Sequence, residues 1–172
     1  MKLTKRSCVT VAVLGTMAAT AAIAVPSGSA QGPGATTLSF YEPNAQSIFK
    51  LQDIPPKSPG KSPESPKFRF SIGDKVTISS PLYDKKGGTR QGRLYVDATF
   101  VKGGGFDKAA SIATGTYVLN DGSQISIQGY FTFATDSRAA VVGGTGRFEG
   151  ASGNVVSMSS EDSSTDTLTV VP

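Results

Sequence analysis

The sequence predicts an all-β domain in which eight short strands build a sandwich or, as its glycines favour, a closed barrel. Three observations lead there. Runs of alternating or β-branched residues follow one another from residue 37 to residue 171, and helical periodicity is confined to a weak trace over Pro43 to Leu51. The segments between the runs carry turn chemistry. Glycines such as Gly92, Gly115, Gly129, Gly150 and Gly153 stand within the strand pattern, where a residue without Cβ permits bulges and sharp coiling.

The chain opens on Lys2, Lys5 and Arg6, continues through the apolar run Cys8 to Val25 and reaches the small residues Gly28-Ser29-Ala30. That order reads as a cleavable secretory signal peptide over residues 1–30. Ala22-Ile23-Ala24 offers a second cutting site, and an uncleaved membrane anchor is the alternative. Residues 31–36 form a flexible lead-in without periodicity, and Thr37 to Glu42 is the first strand. Residues 53–67 hold five of the ten prolines, which lack the amide donors of a sheet or helix, so this Pro/Ser/Lys-rich stretch is an extended loop, either a solvated insertion or a lid. Further strands follow at Asp74 to Tyr83, Arg90 to Val101, Ala109 to Leu119, Ser123 to Ala134, Arg138 to Val142, Asn154 to Met158 and Asp166 to Val171. Asp84-Lys85-Lys86-Gly87-Gly88, Lys102-Gly103-Gly104-Gly105 and the hairpin signal Asn120-Asp121-Gly122 separate several of them.

Cutting after Ala30 removes three of 17 basic residues and none of 13 acidic ones, so a net charge of +4 falls to about +1 over the remaining 142 residues. This near-neutral chain lacks the one-sided basic field that a nucleic acid or an anionic membrane attracts, and no membrane partner is expected once the signal is gone. Its only cysteine is Cys8, and it has no His or Trp. Disulfides, a thiolate nucleophile, a Ser-His-Asp triad and a zinc site built on His or Cys are therefore excluded. Asp84, Asp107 and Asp121 fall in turns without calcium-loop spacing, so no metal and no cofactor is expected. The core of a single domain must stabilise the fold unaided.

The segment Val141-Val142-Gly143-Gly144-Thr145-Gly146-Arg147-Phe148-Glu149-Gly150-Ala151-Ser152-Gly153 resembles the Gly-Gly-Thr-Gly-x-Phe-x-x-Ala-x-Gly stretch of plant dirigent proteins and allene oxide cyclases. Thr37 to Asn44, Gly73-Asp74 with Pro81-Leu82-Tyr83-Asp84, Thr89-Arg90-Gln91-Gly92 and Ser126-Ile127-Gln128-Gly129 are similar to other segments of those families in the same order. The resemblance covers residues 37 to 171 and implies an eight-stranded antiparallel barrel, often trimeric. Gly143-Gly144-Thr145-Gly146 leads into more β-type sequence and is therefore read as a tight connection; a phosphate-cradling loop would lead into a helix.

Period-two alternation puts Leu38, Phe40, Glu42 and Asn44 on one face if the first strand runs that far, and its apolar members make that face the interior. A carboxyl there is desolvated and becomes a candidate acid, base or electrostatic stabiliser. The resemblance adds that Glu42-Pro43-Asn44 matches the cyclases' Glu-x-Asn, in which the Glu supports charge delocalisation and the Asn holds a water on an epoxide oxygen. Ile78 and Ser80 stand where the cyclases have Phe and Asn, Leu94 where they have Cys, and Phe131 where they have a cavity Tyr. Arg90 matches a dirigent arginine and shares nominal parity with Gly92 and Leu94, so a buried Glu42–Arg90 pair is expected; an exposed pair at the barrel mouth is the alternative. Tyr41, Tyr95 and Asp97 have the opposite parity and belong outside.

The expected catalytic residues are therefore Glu42, Asn44 and Arg90, and the expected substrate-binding residues Phe40, Ile78, Ser80, Leu94 and Phe131. Three functions compete: a secreted, cofactor-free isomerase or cyclase acting on a small hydrophobic molecule in the cavity, a carrier of such a molecule, and a filled structural barrel.

Overall fold

The computed structural model describes residues 34–54, 68–132 and 136–171. The signal segment 1–30, residues 31–33 of the lead-in and 55–67 of the proline-rich loop lie outside the described residues. The strands are β1 (Thr36–Pro43), β2 (Ile48–Gln52), β3 (Lys75–Tyr83), β4 (Arg90–Lys102), β5 (Ala110–Leu119), β6 (Gln124–Thr132), β7 (Ser137–Thr145), β8 (Ser152–Ser159) and β9 (Ser163–Val171). All pairings are antiparallel. The sheet runs β1-β9-β8-β7-β6-β5-β4-β3 and closes where β1 meets β3, making an eight-stranded barrel with β2 as an extra strand.

The barrel follows from its turns and coiling. At the β5–β6 hairpin Gly122 adopts φ +83°, and Asp121 Oδ1 accepts the Ser123 amide at 2.9 Å, as an Asp-Gly turn does. Between β4 and β5 a Cβ on Gly92 would collide with the Val118 carbonyl oxygen, so the close approach that coils these strands needs glycine there.

The weak helical trace over Pro43 to Leu51 does not become a helix. A single 3-10 turn, Asn44–Gln46, is followed by β2, whose residues pair with β3 from Ile48↔Ser79 to Gln52↔Lys75. Backbone pairing with a strand distant in sequence overrides a faint local period.

Inside, Phe40, Leu82, Leu94, Tyr117, Ile125, Ile127 and Leu168 belong to the main core cluster. A second cluster stoppers the end of the barrel beside β2 and the β4–β5 link. There the Phe70 ring stacks on Phe100 at 3.9 Å and meets Phe68 edge-on at 5.0 Å. Buried Asp74 ties this closed end together, its Oδ2 accepting the Ser71 amide at 2.7 Å and its Oδ1 the Ile54 amide at 2.9 Å. Asp74→Ala strands both donors and is expected to lower unfolding free energy by about 2 kcal/mol, read as a shift in urea midpoint; an unchanged midpoint would show that the stopper stands without it.

Candidate functional site

Alternation along β1 carries Leu38, Phe40 and Glu42 to the inner face, and the structure buries Phe40 and Glu42. On the neighbouring strand Asp166 stands directly opposite Phe40 in the ladder and is also buried. Glu42 and Asp166 are thus diagonal neighbours on one inward face. From the far side of the ring, four strands away from β9, buried Tyr117 on β5 donates its phenol to Asp166 Oδ2 at 2.5 Å. Its ring stacks against Phe40, centroids 5.7 Å apart. Tyr117 therefore crosses the lumen and links opposite walls.

This arrangement fixes the protonation of the acids. Burial, then the charge of Asp166, then a hydrogen bond to Asp166 push the Glu42 carboxyl up to about 9, with the Ser80 hydroxyl pulling weakly the other way. Glu42 is protonated at neutral pH, and Asp166 Oδ1 is buried without a hydrogen-bond partner among the described residues. Burial, followed by the charge of Asp166, holds the Tyr117 phenol well above its ordinary range, so it too stays protonated. Ser80, buried on β3, shares a 2.8 Å hydrogen bond with Ser47 of the β1–β2 link.

The expected catalytic trio is not assembled. Asn44 leaves the interior because β1 ends at Pro43 and the chain turns; its side chain is exposed and Nδ2 donates to the Glu161 carbonyl at 3.3 Å. Arg90 is exposed as well, and its Nε donates to the Gly92 carbonyl at 3.3 Å. The β3–β4 register slips between Leu82↔Gly92 and Tyr83↔Arg90, so a bulge at Gln91 breaks the parity that would have carried Arg90 inward. The ion pairs Lys86–Asp162 and Arg147–Asp121 lie at the surface; the group that acts on Glu42 is a second acid, Asp166, not Arg90.

Of the expected binding residues, Phe40, Ser80 and Leu94 are buried, Leu94 lying opposite both Ser80 and Tyr117 in the ladders. Phe131 is half-buried against the main cluster and Ile78 against the closed-end cluster. Asp166 and Tyr117 were missing from the expected site. Their signal was parity, since Asp166 alternates in phase with Leu168 and Val170, and Tyr117 with Ala113 and Leu119, all buried.

At the other end of the barrel a cleft of about 420 Å³ is walled by Leu38, Phe40 and Leu119 and rimmed by Gln91, Asn120, Asp121 and Arg147. Arg147 Nε lies 3.3 Å from Asp121 Oδ2, and its guanidinium sits 4.8 Å from the centroid of the Phe148 ring. The volume suits a small molecule. Glu42 lies two residues beyond the cleft-wall residue Phe40 along the inner face of β1, and Asp166 stands level with Phe40 in the ladder. Among the described residues no three His, Cys, Asp or Glu side chains gather as metal ligands.

No family model matches this chain. Among solved structures it is similar to a pyocyanin demethylase, with TM-score 0.56 and 16% identity over 80% of this chain and 99% of that one. It is also similar to two dirigent proteins that are pterocarpan synthases. One has TM-score 0.55 and 19% identity over 79% of this chain and 82% of the other; the second has 0.55 and 20% over 81% and 95%. These likenesses establish a shared barrel fold.

Proposed function

We propose that this protein is a secreted, cofactor-free isomerase or cyclase that takes a small, largely apolar molecule through the open-end cleft and presents the protonated Glu42 carboxyl to one of its oxygens. One observation carries the reading: a carboxyl held protonated to about pH 9 lies two residues along β1 from Phe40 in the apolar wall of a 420 Å³ cleft. A dry, preset proton donor is what general acid catalysis requires. The similar folds that bear the names of a demethylase and of pterocarpan synthases support a small-molecule role, and the basic start with its apolar run supports export.

A carrier without chemistry is the second reading, favoured by the position of the Phe40 ring, which is 5% exposed and stands between cleft and acid. Both readings require binding. Extraction and mass spectrometry of the purified protein should reveal a co-purifying small molecule, and 1-anilinonaphthalene-8-sulfonate should compete for the cleft. Leu38→Gln, at the half-buried wall, should weaken binding about tenfold through lost apolar contact. The absence of any co-purifying molecule, together with dye affinity unchanged in Leu38→Gln, would rule out both readings and leave a structural barrel.

A further inference from the structure

The closed end carries a feature that neither the cleft nor the acid pair uses. Residues 70–74 run antiparallel beside 100–104, with Phe70 and Gly104 exchanging hydrogen bonds of 2.8 and 3.0 Å and Gly73 and Asp74 bonding to Phe100 at 2.8 Å. Ile72 stands at the tip of this ladder, 70% exposed, and neighbouring Val101 is 40% exposed. The turn is anchored, because Asp74 accepts the amide of Ser71 within it and that of Ile54 on a separate segment, and Gly73 takes φ +95°. An isoleucine is thus held in solvent by an anchored turn.

The charges around it are one-sided. Segments 68–75 and 99–108 contain Arg69, Lys75, Lys102 and Lys108, all exposed, against one exposed carboxylate, Asp107. A chain that is near neutral after Ala30 still carries four exposed cations on the two segments that form this ladder, with half-buried Asp53 next to Ile54 beside the turn, a bias that the sequence-wide balance conceals. Aliphatic side chains framed by lysines complement an anionic bilayer surface, where the apolar tip enters the interface and each ammonium meets lipid phosphate.

We propose that the closed end docks on an anionic lipid bilayer, with Ile72 and Val101 entering the headgroup region, Lys75, Lys102 and Lys108 contacting lipid phosphates, and the ligand cleft facing away from the membrane. This replaces the expectation, drawn from net charge alone, that the exported chain has no membrane partner.

The test is flotation with phosphatidylcholine vesicles that contain or lack phosphatidylserine. It is run on the full chain and on the chain starting at Gln31, in which the barrel of residues 36–171 is complete and the apolar run Cys8 to Val25 is not present to insert. The chain starting at Gln31 should float with phosphatidylserine vesicles only. Ile72→Ser should weaken partitioning about tenfold, and Lys102→Gln with Lys108→Gln about fivefold for each lysine. These exposed changes should leave the melting curve unchanged. No flotation, or flotation indifferent to both sets of changes, would overturn the proposal. Equal binding to soluble heparin, unaffected by Ile72→Ser, would overturn it in favour of a polyanion site.

Discussion

Replacing Glu42 by Gln should make this barrel markedly more stable at pH 9 than the unchanged chain and should flatten its stability between pH 5 and 9. The sign follows from proton binding. Glu42 titrates near 9 when folded, against an ordinary value of 4.5, so the folded state holds a proton that the unfolded state has released. Its contribution is complete below 4.5 and is lost as pH rises through that interval, a change of about 6 kcal/mol at 1.36 kcal/mol per decade. Other shifted groups fall outside this window. Asp121 and Asp162 are lowered below the ordinary carboxylate value, and Lys86 and Tyr117 are raised from values of 10 and above. A glutamine keeps the volume and an N–H to offer Asp166 but has no proton to lose. Urea midpoints measured across the interval decide the matter. A wild-type curve as flat as the variant's would mean that folding does not hold a proton on Glu42.

That prediction rests on a residue that the sequence did disclose. The inward parity of Glu42 was legible because Leu38, Phe40 and Glu42 alternate without interruption on a strand whose partner in the ladder keeps register throughout. Arg90 and Asn44 were misplaced because their positions depend on backbone events that no side-chain period records: a bulge at Gln91 and a 3-10 turn that begins at Asn44, directly after β1 ends at Pro43. Strand β2 escaped notice for a related cause. Ile48-Phe49-Lys50-Leu51-Gln52 lacks strict alternation, and only its distant partner β3 makes it a strand. The rest of the barrel was readable because each hairpin is local, with turn residues such as Asp121-Gly122 between alternating runs. Asp166 lay in plain phase with Leu168 and Val170, yet a single acid in a run of serines and threonines resembles a solvated edge until the β1–β9 register sets it beside Glu42. Sequence alternation sorts inside from outside; closure of the ring decides which inside residues meet.

Catalysis gives the second large effect. With the co-purifying molecule as substrate, Glu42→Gln should lower kcat by about 10²–10⁴-fold, the usual contribution of a positioned proton donor, while leaving ligand affinity nearly unchanged. Wild-type kcat should hold at neutral pH and fall as pH rises past about 9, where Glu42 loses its proton. Asp166→Asn separates the two acids. The charge of Asp166 is the second cause, after burial, of the raised Glu42 value, so removing it should move the alkaline limb to lower pH and spare most of kcat at acidic pH. A purely structural role for Asp166 would reduce activity at every pH without moving the limb. Full turnover in Glu42→Gln would leave the cleft a binding site and the protein a carrier, because the neighbouring Tyr117 phenol, pushed far above its ordinary range, is too weak an acid to take the place of Glu42.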